Sequence, residues 1–140
     1  MTKSRSLLMI VLMGGTILLG ACSSAPVSKQ PLSEGELRLL SASLPVVGVV
    51  KTGLPFEIKV KFIADGQPRI RRACFTWSGE GPDCHMVNPK DVTFGPPGEL
   101  TVRLYPVSFG NTRGECYVEY NQGTKIVRTN VVIFYFDVVM

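Results

Sequence analysis

Four cysteines, one histidine and a few carboxylates carry whatever chemistry this 140-residue chain can perform. Cys74, Cys84 and Cys116 can pair as disulfides, bind a soft metal or remain thiols, while Cys22 stands apart at the end of an apolar run. His85 is the sole histidine. A Ser-His-Asp hydrolase would have to use it as the base, with Ser78 and Asp83 near it in sequence. No G-x-S-x-G turn accompanies these residues, and no G-x-x-x-x-G-K-[ST] phosphate loop occurs. Glu80 and Asp83 read as loop carboxylates facing water. Zinc sites favour close C-x₂₋₄-C pairs, which the spacing from Cys74 to Cys84 does not offer. The residues thus argue against an enzyme, and neither a metal nor another cofactor is expected.

Cys22 has a different context. Lys3 and Arg5 precede Leu7 to Ala21, a stretch without charge. That run is shorter than the roughly 20 apolar residues a bilayer-spanning helix needs. Its length and basic flank fit a secretory signal peptide over residues 1–21. An uncleaved membrane helix, or a chance cysteine after a cleaved signal, are the bland alternatives. Leu19-Gly20-Ala21-Cys22 resembles the lipobox of bacterial lipoproteins, in which a small residue precedes the modified cysteine. The resemblance implies cleavage before Cys22, a diacylglyceryl thioether on its sulfur, and a further acyl chain such as palmitate on the new amine. Within Gram-negative members, Ser23 rather than aspartate implies the periplasmic face of the outer membrane. One acyl chain binds only marginally at about 0.8 kcal/mol per buried methylene, whereas two or three make a lasting anchor.

Removal of Lys3 and Arg5 reduces the formal charge from +4 to +2. No concentrated basic surface of the kind nucleic-acid binders use survives, so such a partner is not expected. Ser23 to Gly35 is polar, carries Pro26 and Pro31, and lacks apolar periodicity, so residues 22–35 read as a lipidated cysteine and tether. One small domain, residues 36–140, remains.

That domain reads as a succession of strands. Phe56, Ile58, Val60 and Phe62 alternate with Glu57, Lys59 and Lys61, a half-buried strand pattern. Asp65-Gly66 marks a turn. Ile70 to Trp77 follows, with Ala73, Phe75 and Trp77 inward and Arg72, Cys74 and Thr76 outward. Ser78 to Asp83 reads as a loop containing two glycines and a proline. Further strands are expected at Glu36–Ala42, Val46–Val50, Asp91–Phe94, around Leu100–Leu104, around Cys116–Tyr120, and through Lys125–Val139. Ser108 to Gly114 reads as a turn region and Asn121-Gln122-Gly123-Thr124 as a hairpin turn. Strands this short with turn signals this frequent predict an all-β, antiparallel two-sheet sandwich of about seven strands.

The segment Gly114-Glu115-Cys116-Tyr117-Val118-Glu119-Tyr120-Asn121-Gln122-Gly123 resembles the F strand and F–G turn of immunoglobulin-like domains. Trp77 sits where that family places its core tryptophan. The resemblance implies an Ig-like sandwich, although the strand Phe56–Phe62 has no cysteine for the antibody inter-sheet bridge. With Cys22 assigned to lipid, three cysteines remain in an oxidising compartment. Cys116 shares a face with Val118 and points inward; Cys74 points outward. Opposite faces cannot supply converging Cβ vectors, so Cys74–Cys84 is the expected disulfide and Cys116 a buried thiol. His85 is expected in an exposed loop.

Two surfaces are candidates for binding. Arg69, Arg71 and Arg72 form a basic stretch beside the acidic Glu80–Asp83 loop. They either guard a strand edge or meet an anionic partner such as lipid headgroups or an acidic protein. Tyr105, Tyr117 and Tyr135 fall opposite the apolar sets and could form an exposed row for glycan or protein. The expected function is a lipid-anchored cell-envelope protein with a non-catalytic Ig-like accessory domain and an envelope protein partner. The alternative is a glycan- or small-ligand-binding lipoprotein of the periplasmic face.

Overall fold

The structure of the chain, a computed structural model, describes residues 30–44, 48–106 and 110–140. The expected signal peptide, Cys22 and residues 23–29 of the tether lie outside the described residues. Ten strands follow in order: β1 (Leu37–Ser43), β2 (Val49–Lys51), β3 (Phe56–Ala64), β4 (Ile70–Trp77), β5 (Glu80–Met86), β6 (Val92–Thr93), β7 (Gly98–Leu104), β8 (Gly110–Gln122), β9 (Lys125–Arg128) and β10 (Val132–Val139). A 3₁₀ turn, Pro89–Asp91, precedes β6 and is capped by the Asn88 side chain.

The strands form two sheets. The first has the order β1-β3-β7-β6; the second runs β2-β10-β8-β4-β5, with β9 also paired to β8. Pairing is antiparallel except between β2 and β10. These are the neighbour relations of an immunoglobulin sandwich, in which the first, second, fifth and fourth strands form one sheet and the third, sixth and seventh the other. The protein is therefore an all-β, Ig-like two-sheet sandwich, as expected.

Strict alternation builds the first sheet. Phe56, Ile58, Val60 and Phe62 of β3 are buried, as are Leu100, Val102 and Leu104 of β7. The β3–β7 register sets inward residues against inward ones, for example Ile58 against Val102. The second sheet contributes aromatic rings. Trp77, buried as expected, lies 6.3 Å from Phe56 of the opposite sheet and 5.7 Å from Phe136 (ring centroids). Phe75 stacks on it at 5.4 Å. Two glycines make room for these rings: a Cβ at Gly98 would strike Phe62, and one at Gly114 would strike Phe134.

Four local expectations are corrected. Ser78–Asp83 is not a loop throughout, because a hairpin of two central residues joins β4 to β5. Ser78 and Gly79 both adopt positive φ, 47° and 90°, the mirror-image turn that matches strand twist. Gly81 and Pro82, which suggested a loop, sit on an edge strand, where a missing N–H is tolerated. Likewise Gly110–Gly114 belongs to the long strand β8 rather than to a turn, and the Asp91–Phe94 strand is only Val92–Thr93.

Lys125–Val139 is two strands rather than one. Between them Thr129 Oγ1 accepts a hydrogen bond from Val118 N (2.9 Å), occupying the ladder. Asn130 then accepts from Leu39 N at 2.8 Å and donates to Leu39 O at 3.0 Å. Its amide substitutes for a strand partner at the irregularity in β1 between Leu39 and Ser41. A polar Thr-Asn pair in a β-branched run thus marks where the returning chain breaks and clamps the first sheet to the second.

The sandwich has two poles. At one, Leu37 pairs with Ala64 and Ile70 with Tyr120. The chain joins the domain here: Gln122 Nε2 donates to Glu34 O at 2.8 Å and Arg38 to Gln30 O at 2.8 Å. The other pole holds Phe56 against Leu104 and Val138 against Gly110.

Candidate functional site

Cys74 of β4 and Cys84 of β5 stand directly opposite one another and are joined by a disulfide. The bridge is a rung between neighbouring strands, not the clasp of a loop. It faces outward from the sheet, yet Cys74 is fully buried, covered by its partner and by its position beside Tyr117 of β8. Outward therefore does not mean wet here. Cys116 is free and buried, and desolvation raises its thiol to about 12. The thiolate that reacts with oxidants and metals is correspondingly scarce at neutral pH.

The outer face of the second sheet also holds an ion cluster. Glu119 is nearly buried between two arginines, with Arg72 Nε at 2.6 Å and Arg128 Nε at 3.5 Å. The hydrogen bond from Arg72 is the main cause holding the Glu119 carboxyl below its ordinary range, and burial opposes it. Arg128 also lies over the Tyr117 ring, 4.9 Å from its centroid. Nothing in sequence distinguishes Glu119 from the half-buried Glu115 four positions earlier; the distinction arises from pairing with Arg72 and Arg128 on flanking strands.

The arginine trio is split. Arg72 points to the Glu119 cluster. Arg69 and Arg71 instead line a cavity of about 240 Å³ with Met86, Val87 and Phe94. Nor does the acidic segment lie beside them, because β5 runs antiparallel to β4: Arg72 faces Met86, while Glu80 faces Trp77 at the far end. The tyrosines are likewise not one row. Tyr105 follows β7 of the first sheet and is exposed. Tyr117 and Tyr135 occupy β8 and β10 of the second sheet, where Tyr117 is half-buried.

His85 lies on β5 rather than in a loop, opposite Ala73, with Nε2 2.9 Å from Asp83 Oδ2. Ser78 remains at the hairpin turn, where its backbone N–H donates to Arg113 O at 2.8 Å. Five strand positions, roughly 17 Å, separate the register of His85 from that of Ser78, so the geometry does not assemble a hydrolytic triad from them. Among the described residues, no group of three or more His, Cys, Asp or Glu side chains is arranged to hold a metal ion, and no helix is long and apolar enough to cross a membrane.

The chain is similar to a solved CARDB domain from Pyrococcus furiosus, determined in complex with di-metal ions. The two share 19% identity and a TM-score of 0.50, over 84% of this chain and 99% of that one. At this identity the likeness speaks to fold, and it agrees with the sandwich. A weaker likeness, to AvmM, which catalyses macrocyclization in alchivemycin A biosynthesis, has 10% identity and a TM-score of 0.34 over 72% of this chain and 88% of that one. No family model and no curated protein matches the chain.

Proposed function

We propose that the protein is a lipid-anchored accessory component of a bacterial cell envelope, whose Ig-like domain contacts a protein partner rather than catalysing a reaction. The observation that carries the reading is Leu19-Gly20-Ala21-Cys22 at the end of an uncharged run, followed by a polar tether and one folded domain. Sandwich domains on tethers act through their sheet faces, edges and loops. The separation of the tyrosines between two sheets favours this reading over glycan binding, which would need them convergent around a pocket.

Fractionation of the native host tests it. The wild-type chain is expected in the membrane fraction and to partition into detergent. Cys22→Ala should leave an aqueous, unprocessed or soluble form. Crosslinking of the membrane-bound protein should capture a reproducible envelope protein. Wild-type and Cys22→Ala chains that fractionate alike would overturn the anchor.

A further inference from the structure

The pole at which the chain joins the domain brings together a cationic and an apolar feature. Arg69 is exposed and Arg71 half-buried, and no ion pair joins either guanidinium to a carboxylate among the described residues. They line one cavity with Met86, which is 79% exposed, and Phe94, at 36%. Nearby acids are already engaged: Glu36 with Ser33 and Arg38, Asp65 with the Gly35 N–H at 2.9 Å. Asp91 lines an adjoining cavity, which shares Met86 and Val87 with this one and is also lined by His85 and Arg103.

The position of the cavity identifies its occupant. Asn121 N donates to Arg69 O at 2.9 Å, and the next residue, Gln122, holds the incoming chain at Ser33 and Glu34. Eight residue steps separate Cys22 from Gln30, so a sulfur-bound lipid lies within about 30 Å of this pole. An arginine near an anionic bilayer contributes about 1 kcal/mol, and exposed Met and Phe side chains suit the headgroup boundary. We propose that Arg69 and Arg71 bind anionic phospholipid headgroups, with Met86 and Phe94 against the bilayer, so that this pole rests on the membrane. The proposal rests on the anchor reading for its orientation, while its chemistry resides in the cavity.

Hydrogen exchange of the full chain separates the two. The protein is mixed with vesicles of phosphatidylcholine alone or with one part in four phosphatidylglycerol, and exchange is followed in 66–71 and 86–94. Slowing by about tenfold is expected on the anionic vesicles only, and R69E/R71E should abolish it, while R103E, paired with Glu57 towards the opposite pole, should not. Equal exchange on both vesicles, or slowing that survives R69E/R71E, would overturn the site. Slowing produced by polyglutamate and not by the anionic vesicles would overturn it in favour of an acidic protein. Sedimentation with the neutral vesicles reports the anchor by itself. A chain that fails to sediment with them yet is protected on the anionic ones loses the anchor reading and keeps this site.

Discussion

The outer faces of the two sheets differ in kind. On the first, Lys59–Glu99 at 3.6 Å and Arg103–Glu57 at 3.1 Å are exposed pairs between neighbouring strands. On the second, a disulfide ties the fully buried Cys74 to the half-buried Cys84 beside Tyr117, and Glu119 is enclosed by Arg72 and Arg128. The first face is solvated polar surface; the second is a thin outer layer of structure. The difference is that a sheet face opposite the core can itself exclude water when cross-strand neighbours cover it. Substitutions should therefore cost little on one face and measurably on the other.

Inside, the second sheet supplies Phe75, Trp77, Phe134 and Phe136, so the largest expected effect is Trp77→Ala. It should destabilise the domain by about 3–5 kcal/mol in chemical denaturation, because four aromatic rings lose a partner and a cavity remains. Next, Cys74→Ser/Cys84→Ser should lower stability by about 2–3 kcal/mol under oxidising conditions, as a loop of this length predicts. With reductant present, the gap to wild type should narrow sharply.

Glu119→Gln should lower the melting temperature by less than loss of the disulfide does, and only above the carboxylate range. Because the folded carboxyl titrates below its ordinary 4.5, its contribution is complete above that value. It is lost as pH falls through the depressed one, since the unfolded chain then binds the proton more readily. Thermal melts of wild type and variant should converge at low pH. Lys59→Ala on the first sheet is the smallest change, within about 0.5 kcal/mol. A Lys59→Ala effect as large as that of Glu119→Gln would erase the contrast between the faces.

The same contrast explains what was legible in the sequence. On β3 one face is core and the other water, so Phe56 to Phe62 alternate and the strand is plain. On β4, Ala73, Cys74 and Phe75 are all buried, because Cys74 is covered from outside; alternation predicted its direction and hence its bridge to Cys84, but not its burial. β5 was hidden because Gly81 and Pro82 are loop residues everywhere except on an edge. The cavity of Arg69 and Arg71 was half legible. Their charge stood in the sequence, whereas Met86 and Phe94 reach them only through the β4–β5 hairpin and the segment leading into β7. Splitting of the trio follows the irregularity in β4 between Ile70 and Arg72, which sets Arg72 opposite Glu119 and leaves Arg71 outside the pairing.

The anchor remains the claim on which placement and orientation depend. Intact-mass and N-terminal peptide spectrometry of the protein purified from its native membrane tests it most directly. The account predicts a chain that begins at Cys22 and carries the added mass of a diacylglyceryl group, with an acyl amide on its amine. A chain that begins at Met1, or a bare thiol at residue 22, would contradict it.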